Sequence, residues 1–232
     1  MTPSTMQAAI DAVYRVADVA SLRSVGVTAP GPGDGATTLA AALALRAAAG
    51  ERETLIVNLG GGGASRLWQC PPVPWSNAAG SAETAMQTVA PALTLLPAPG
   101  AGPIPPILRE RSVLADLVRR WSERFDAVIV DLPPLEGAAS FGADPVSAAQ
   151  ALDGVVISVM VRRTREAALI GTVETLAAAG VRTLGVVAND RDNPTLAAEL
   201  GREARRLRRF LPALALRVER LVQASPLLSR RL

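Results

Sequence analysis

Two apolar rhythms divide the chain. Residues 6–22 place Ile10, Val13, Ala17 and Ala20 at helical spacing and predict an opening helix that ends before Arg23. Residues 24–28 form a short apolar run without that spacing and predict a buried strand leading into a glycine-rich stretch. Residues 38–49, rich in alanine and leucine, predict a helix stopped by Gly50. Residues 54–59 predict a second strand, whereas 60–80, rich in glycine, proline and tryptophan and without periodicity, predict irregular structure.

The second half repeats the alternation. Residues 93–96 read as a strand, 97–106 as a proline-rich loop and 107–124 as an amphipathic helix. Residues 126–131 (Asp-Ala-Val-Ile-Val-Asp) form the clearest buried strand. Strands at 155–161 and 183–188 flank a helix at 164–179 that stops at Gly180. Strands and helices alternating at this spacing predict parallel βαβ units with right-handed connections. The expected fold is therefore α/β: a mostly parallel sheet with helices on both faces, of the P-loop NTPase type.

With 232 residues, 49% of them hydrophobic, the chain suits one domain over 1–232. Only 3% is aromatic, so the core rests on alanine and branched aliphatics, and the stacking platforms of nucleic-acid binders are missing. All 24 basic residues are arginine; the chain has neither lysine nor histidine, and a single cysteine, Cys70. Lysine chemistry, histidine chemistry, an internal disulfide and a zinc set are thereby excluded. The first residues lack the basic and apolar regions of a secretory signal, and no stretch has the roughly 18 apolar residues of a membrane span. The expected location is cytoplasmic, at the inner face of the plasma membrane, with any membrane contact peripheral.

Charge is unevenly spread. In residues 201–232 nine arginines face two glutamates, giving +7 and leaving −4 on the rest of a chain whose total is +3. Leu200, Ala204, Leu207 and Leu211 form an apolar stripe among them, so a basic amphipathic helix is predicted, interrupted at Pro212. A solvated face covering the sheet accounts for this segment better than membrane binding does, and an acidic protein partner accounts for it equally well. Trp68 and Trp75 fit burial under the 60–80 loop better than an exposed partner patch, and Cys70 fits a buried small residue better than a reactive thiol.

The strand at 24–28 runs into Gly31-Pro32-Gly33-Asp34-Gly35-Ala36-Thr37-Thr38 and then a helix, the order of a phosphate cradle. In the G-x-x-x-x-G-K-[ST] pattern, backbone N–H groups hold the phosphates, lysine bridges β and γ, and the hydroxyl holds Mg²⁺. Here Gly33 and Gly35 give the permissive backbone and Thr37 the hydroxyl. Ala36 stands where the lysine belongs, and Pro30 where the first glycine belongs. One lost charge-assisted contact weakens a nucleotide by about ten- to a hundredfold. Downstream, the apolar strand ending in Asp131 has the Walker B pattern; its carboxylate suits either Mg²⁺ or a simple strand-end cap, and the loop upstream favours the metal.

These residues resemble the bacterial tyrosine kinases of polysaccharide export, a branch of the MinD and ParA group of P-loop ATPases. The likeness covers Ala12-Val13-Tyr14-Arg15, the loop, Leu95 to Gly100 with Pro103 to Leu108, Phe125 to Pro134, Asp153 to Val156 with Thr164, and Leu184 to Asn189. Asp-Leu-Pro-Pro and Gly-Val-Val-x-Asn are the most diagnostic segments. The resemblance implies that Gly33, Asp34, Gly35, Ala36, Thr37, Thr38 and Asn189 line a weak or vestigial nucleotide site, with Asn189 toward the adenine. It implies Mg²⁺ on Thr37 and Asp131 when nucleotide binds, Asp144 in the second switch and Arg15 in oligomerisation.

The pattern departs from the family in the same direction at four places. Ala36 replaces the lysine; Asn58 and Gly60 replace the acidic pair after the second strand; Ala12 and Asp18 flank the retained Arg15; and Tyr14 is the only tyrosine, so the acceptor cluster is absent. The expectation is a free-standing pseudokinase with no catalytic residue, needing no cofactor beyond weakly held Mg-ATP or Mg-ADP. It would dock on the cytoplasmic part of a membrane polysaccharide co-polymerase or exporter, in exopolysaccharide, capsule or holdfast assembly, and form homo-oligomers. Nucleic acid is not an expected partner. The alternatives are a MinD-like ATPase cycling on a membrane surface and a weakly active protein-tyrosine kinase.

Overall fold

The computed structural model describes residues 3–61, 63–78, 80–99, 106–137 and 144–190, which fall in a compact unit spanning Met1–Asn189 apart from Asp190. The basic segment expected at 201–232 lies outside the described residues. The strands are β1 (Ser24–Thr28), β2 (Thr54–Asn58), β3 (Gln87–Ala90), β4 (Leu93–Leu96), β5 (Ala127–Asp131), β6 (Gly154–Met160) and β7 (Thr183–Asn189). Among the described residues they form one sheet in the order β3-β4-β2-β5-β1-β6-β7, antiparallel only at β3–β4. The helices are α1 (Pro3–Val16), α2 (Ala36–Ala48), α3 (Gly63–Leu67), α4 (Ser81–Ala85), α5 (Arg111–Arg124), α6 (Pro145–Ala149) and α7 (Glu166–Ala178).

Strict alternation along the central strands divides the core in two. Leu55, Val57, Val128, Val130, Val155 and Ile157 point to one face, where they meet Leu114, Leu117 and Trp121 of α5 and Leu176 of α7. Val25, Val27, Ile56, Ile129 and Val156 point to the other, against Leu39, Leu43 and Ala47 of α2 and Tyr14 of α1. Burial on both faces is why β1, β2 and β5 read as unbroken apolar runs. Alanines at 40, 41, 44 and 47 bring α2 close to the sheet, and α2 begins where the glycine loop ends.

The chain departs from its sequence pattern at four points. The opening helix stops at Val16 rather than Leu22, because Asp18 turns into the left-handed region (φ 50°) and its carboxylate accepts the Ser21 hydroxyl at 2.6 Å; a 3₁₀ turn, Val19–Ser21, follows. Strand β3 is a short, half-exposed edge whose irregular register hides any alternation. Helix α6 was marked only by Asp144-Pro145: the carboxylate caps the N–H groups of Val146 and Ser147, and the proline occupies the first turn. Within 60–80, α3 forms where no regular element was expected, while Trp75 is buried as expected.

Trp75 donates its Nε1 hydrogen to Pro97 O at 2.7 Å and meets Trp121 edge to face, ring centroids 6.3 Å apart. Trp121 is equally buried, but its Nε1 has no acceptor among the described residues. A contrast follows from this asymmetry. Trp75→Phe is expected to cost about 1–3 kcal/mol because it orphans a buried carbonyl, whereas Trp121→Phe stays within about 1 kcal/mol. Urea denaturation of both variants checks it; equal losses would refute the asymmetry. Trp68 and Cys70 are half-buried and pack against the α2 side of the core.

Candidate phosphate-loop site

The parallel strands bring the carboxyl ends of β1, β2, β5, β6 and β7 to one edge of the sheet, the edge at which ligands of open α/β sheets bind. The glycine loop leaves β1 there. Thr28 anchors its base by donating to Pro133 O at 2.7 Å, while Leu135 N and Glu136 N donate to Ala29 O and Pro30 O at 3.0 and 2.9 Å. Asp34 is buried and folds back to accept Gly31 N–H at 3.1 Å; its own carbonyl accepts the Ser158 hydroxyl at 2.8 Å. Gly33 and Gly35 both have left-handed backbones, φ 87° and 96°. At Gly35 there is also no room for a side chain, since a methyl group there would lie 2.2 Å from Asn189 Nδ2.

On the β5 side, Thr37 Oγ1 donates to the Asp131 carboxylate, with Oδ2 at 2.9 Å and Oδ1 at 3.1 Å. Asp131 is fully buried. Burial pushes its carboxyl up to about 7, although the Thr37 hydrogen bond works in the opposite direction. Asn58, opposite Asp131 in register, is also fully buried and donates to Ser65 Oγ at 3.1 Å. The backbone at Gly60 runs against Asp131, where a methyl group would lie 3.1 Å from the carboxyl carbon. Gly63, at the start of α3, closes over Thr37: a methyl group there would lie 2.7 Å from Thr37 Oγ1.

The loop residues 33–38, Thr37, Asp131 and Asn189 thus come together, with Asn189 lying on the loop at Gly35. Arg15 and Asp144 serve elsewhere. Arg15 is exposed in the last turn of α1, next to Val16, which is 84% exposed, and Asp144 caps α6. Pattern reading passed over two residues that grip the loop, Ser158 and Arg163. The Arg163 guanidinium donates to Pro32 O at 3.3 Å and lies on Gly33, its Nη2 3.0 Å from where a methyl group would sit. Nothing local marks Arg163 beyond the absence of lysine, which leaves arginine as the chain's sole source of side-chain positive charge.

Comparison with known proteins turns on three-dimensional structure, since the sequence matches no protein-family model and, to significance, no curated protein. The VpsO kinase domain superposes with a TM-score of 0.65 at 24% identity, over 80% of this chain and 94% of that one. The kinase domain of the Escherichia coli tyrosine kinase ETK gives 0.60 at 18%, over 72% and 67%. MinD from Pyrococcus horikoshii, solved with Mg-ADP, gives 0.57 at 18%, over 76% of each chain. This chain has the MinD-like P-loop fold. In this chain the loop of 31–38 joins β1 to α2, and Asp131 ends the neighbouring strand β5.

Magnesium-nucleotide, the group this MinD-like fold implies, does not fit all of these residues. The loop amides fit a phosphate. The metal side fits only in part: Thr37 Oγ1 and the Asp131 carboxylate lie together at 2.9 Å, but Asn58, opposite Asp131, supplies an amide rather than a carboxylate. Among the described residues no cluster of three acids, cysteines or histidines exists to hold a cation.

Proposed function

We propose that this chain is a kinase-like protein without phosphoryl-transfer chemistry that regulates or scaffolds polysaccharide synthesis and export by docking on the cytoplasmic part of a membrane co-polymerase or exporter. The observation that carries the reading is the charge missing around the loop: Ala36 in the lysine position and the amide of Asn58 opposite Asp131. Phosphoryl transfer depends on positioned positive charge at the transferring group, and both usual sources, lysine and metal, are compromised together. The core and the loop's hydrogen bonds are intact, as a binding surface requires. The likeness to the VpsO and ETK kinase domains and the Asp-Leu-Pro-Pro and Gly-Val-Val-x-Asn segments support the kinase-like lineage. Among the described residues no helix is long and apolar enough to cross a membrane, so the membrane partner supplies the anchor in this reading. Exposed Arg15 and Val16 supply a surface for oligomerisation.

A complementation experiment tests the role. Cells deleted for this chain should lose or alter surface polysaccharide, and a Thr37→Val allele should restore it as fully as the wild type. Unchanged polysaccharide in the deletion strain, or a normally expressed Thr37→Val protein that fails to restore it, would contradict the proposal.

A further inference from the structure

We infer that Arg163 takes over the electrostatic task of the missing lysine, so that the loop of residues 31–38 binds a diphosphate anion without a metal ion. The inference rests on the reading of this loop as a phosphate cradle and deepens it by naming ligand class and charge source. Arg163 reaches the loop from the connection between β6 and α7, a different element from the one that carries the lysine in the usual pattern. Its guanidinium lies on Gly33, whose lack of a side chain makes the contact possible, and one of its five N–H groups is used on Pro32 O. Among the described residues it has no ion-pair partner, so the remaining N–H groups face outward with their charge unspent.

The loop below supplies the complementary half. The N–H groups of Gly35, Ala36 and Thr37 have no backbone acceptor among the described residues, and they open the thirteen-residue helix α2. A cleft of about 290 Å³ is lined by Pro30, Gly31, Pro32 and Asp34 at the start of the loop and by Arg163, Thr164 and Arg165 across from them. Two carboxylates also face it. Asp34 is buried and engaged with Gly31 N–H, while Glu136 lies exposed on the rim. Against one exposed and one engaged carboxylate stand two exposed arginines and the loop amides, which favours an anion with oxygens on more than one phosphorus over a single small ion. Arginine's planar fork can hold two such oxygens at once. With Arg163 on the loop, the positive charge is supplied by the protein itself.

Titration calorimetry of the full chain in EDTA, with inorganic pyrophosphate and separately ADP, tests this. Wild type is expected to bind pyrophosphate without Mg²⁺. Arg163→Gln should weaken it by about ten- to a hundredfold, and Arg163→Lys should retain most of it. Ala36→Lys placed on the Arg163→Gln background should recover binding, a rescue that a merely structural arginine would not permit. Arg165→Gln should weaken binding by less than Arg163→Gln does. Arg163 is exposed, so these variants should melt at the wild-type temperature. No pyrophosphate binding by wild type in the millimolar range, strict dependence on Mg²⁺, or equal binding by Arg163→Gln would overturn the inference. Such a failure leaves the proposed function standing, whereas phosphoryl transfer by the protein would end that function whatever the anion affinity.

Discussion

Asp131→Asn is expected to stabilise the chain at pH 8 by on the order of 1–4 kcal/mol, an unusual result for the acid of a phosphate-loop protein. The reason is the sign of the shift. The Asp131 carboxyl rises from 3.8 to about 7 because it is fully buried, and the Thr37 hydroxyl offsets this only in part. Between these values the folded chain retains a proton that the unfolded chain has released. This group's contribution is therefore complete below pH 3.8, falls as pH rises and levels off above about 7. Asparagine keeps the shape, can bond Thr37 and carries no charge to desolvate. In urea denaturation at pH 5 and pH 8, the wild type should lose about 2–3 kcal/mol more than Asp131→Asn over that interval. Parallel losses in the two proteins would show that Asp131 is already ionised at pH 5.

The second large effect is expected at Trp75. Trp75→Ala removes a fully enclosed indole, its hydrogen bond to Pro97 O and the edge-to-face contact with Trp121, for a cost of about 3–5 kcal/mol. Its segment has little regular structure, so such a loss would mark the 60–80 region as part of the folded core rather than a covering loop. A fall in the urea midpoint shared by the whole transition is the predicted outcome; a change below about 1 kcal/mol would mean the segment opens independently of the core.

How much was legible in advance follows from where the physics is local. Strands β1, β2 and β5 are buried at every position and mostly apolar because both faces are covered, and β5 ends in an acid that stands out against them, so fold and site could be placed together. The loop between β1 and α2 was legible because left-handed glycines at 33 and 35 are a backbone requirement visible as residue type. What could not be read depends on contacts distant in sequence. Arg163 meets Gly33 from 130 residues away, Ser158 meets Asp34 across 124, and Gly63 covers Thr37 from another loop altogether. The end of α1 was missed for a local reason that pattern cannot carry: the apolar spacing continues past Val16, and the break comes from the backbone of Asp18. Nor did composition expose the Asp131 proton, which follows from complete burial and from the nearest side chain being a threonine.

The proposed function rests on one central claim, that the loop keeps its cradle without phosphoryl-transfer chemistry. Ala36 alone would be one changed position, but an amide, Asn58, also stands opposite Asp131. The most direct measurement is phosphate release and transfer from γ-labelled ATP with Mg²⁺, by the full chain alone and with the cytoplasmic part of the proposed membrane partner. The account predicts no turnover above that of a Thr37→Val/Asp131→Asn double variant. Turnover by the wild type that this double variant abolishes would contradict it.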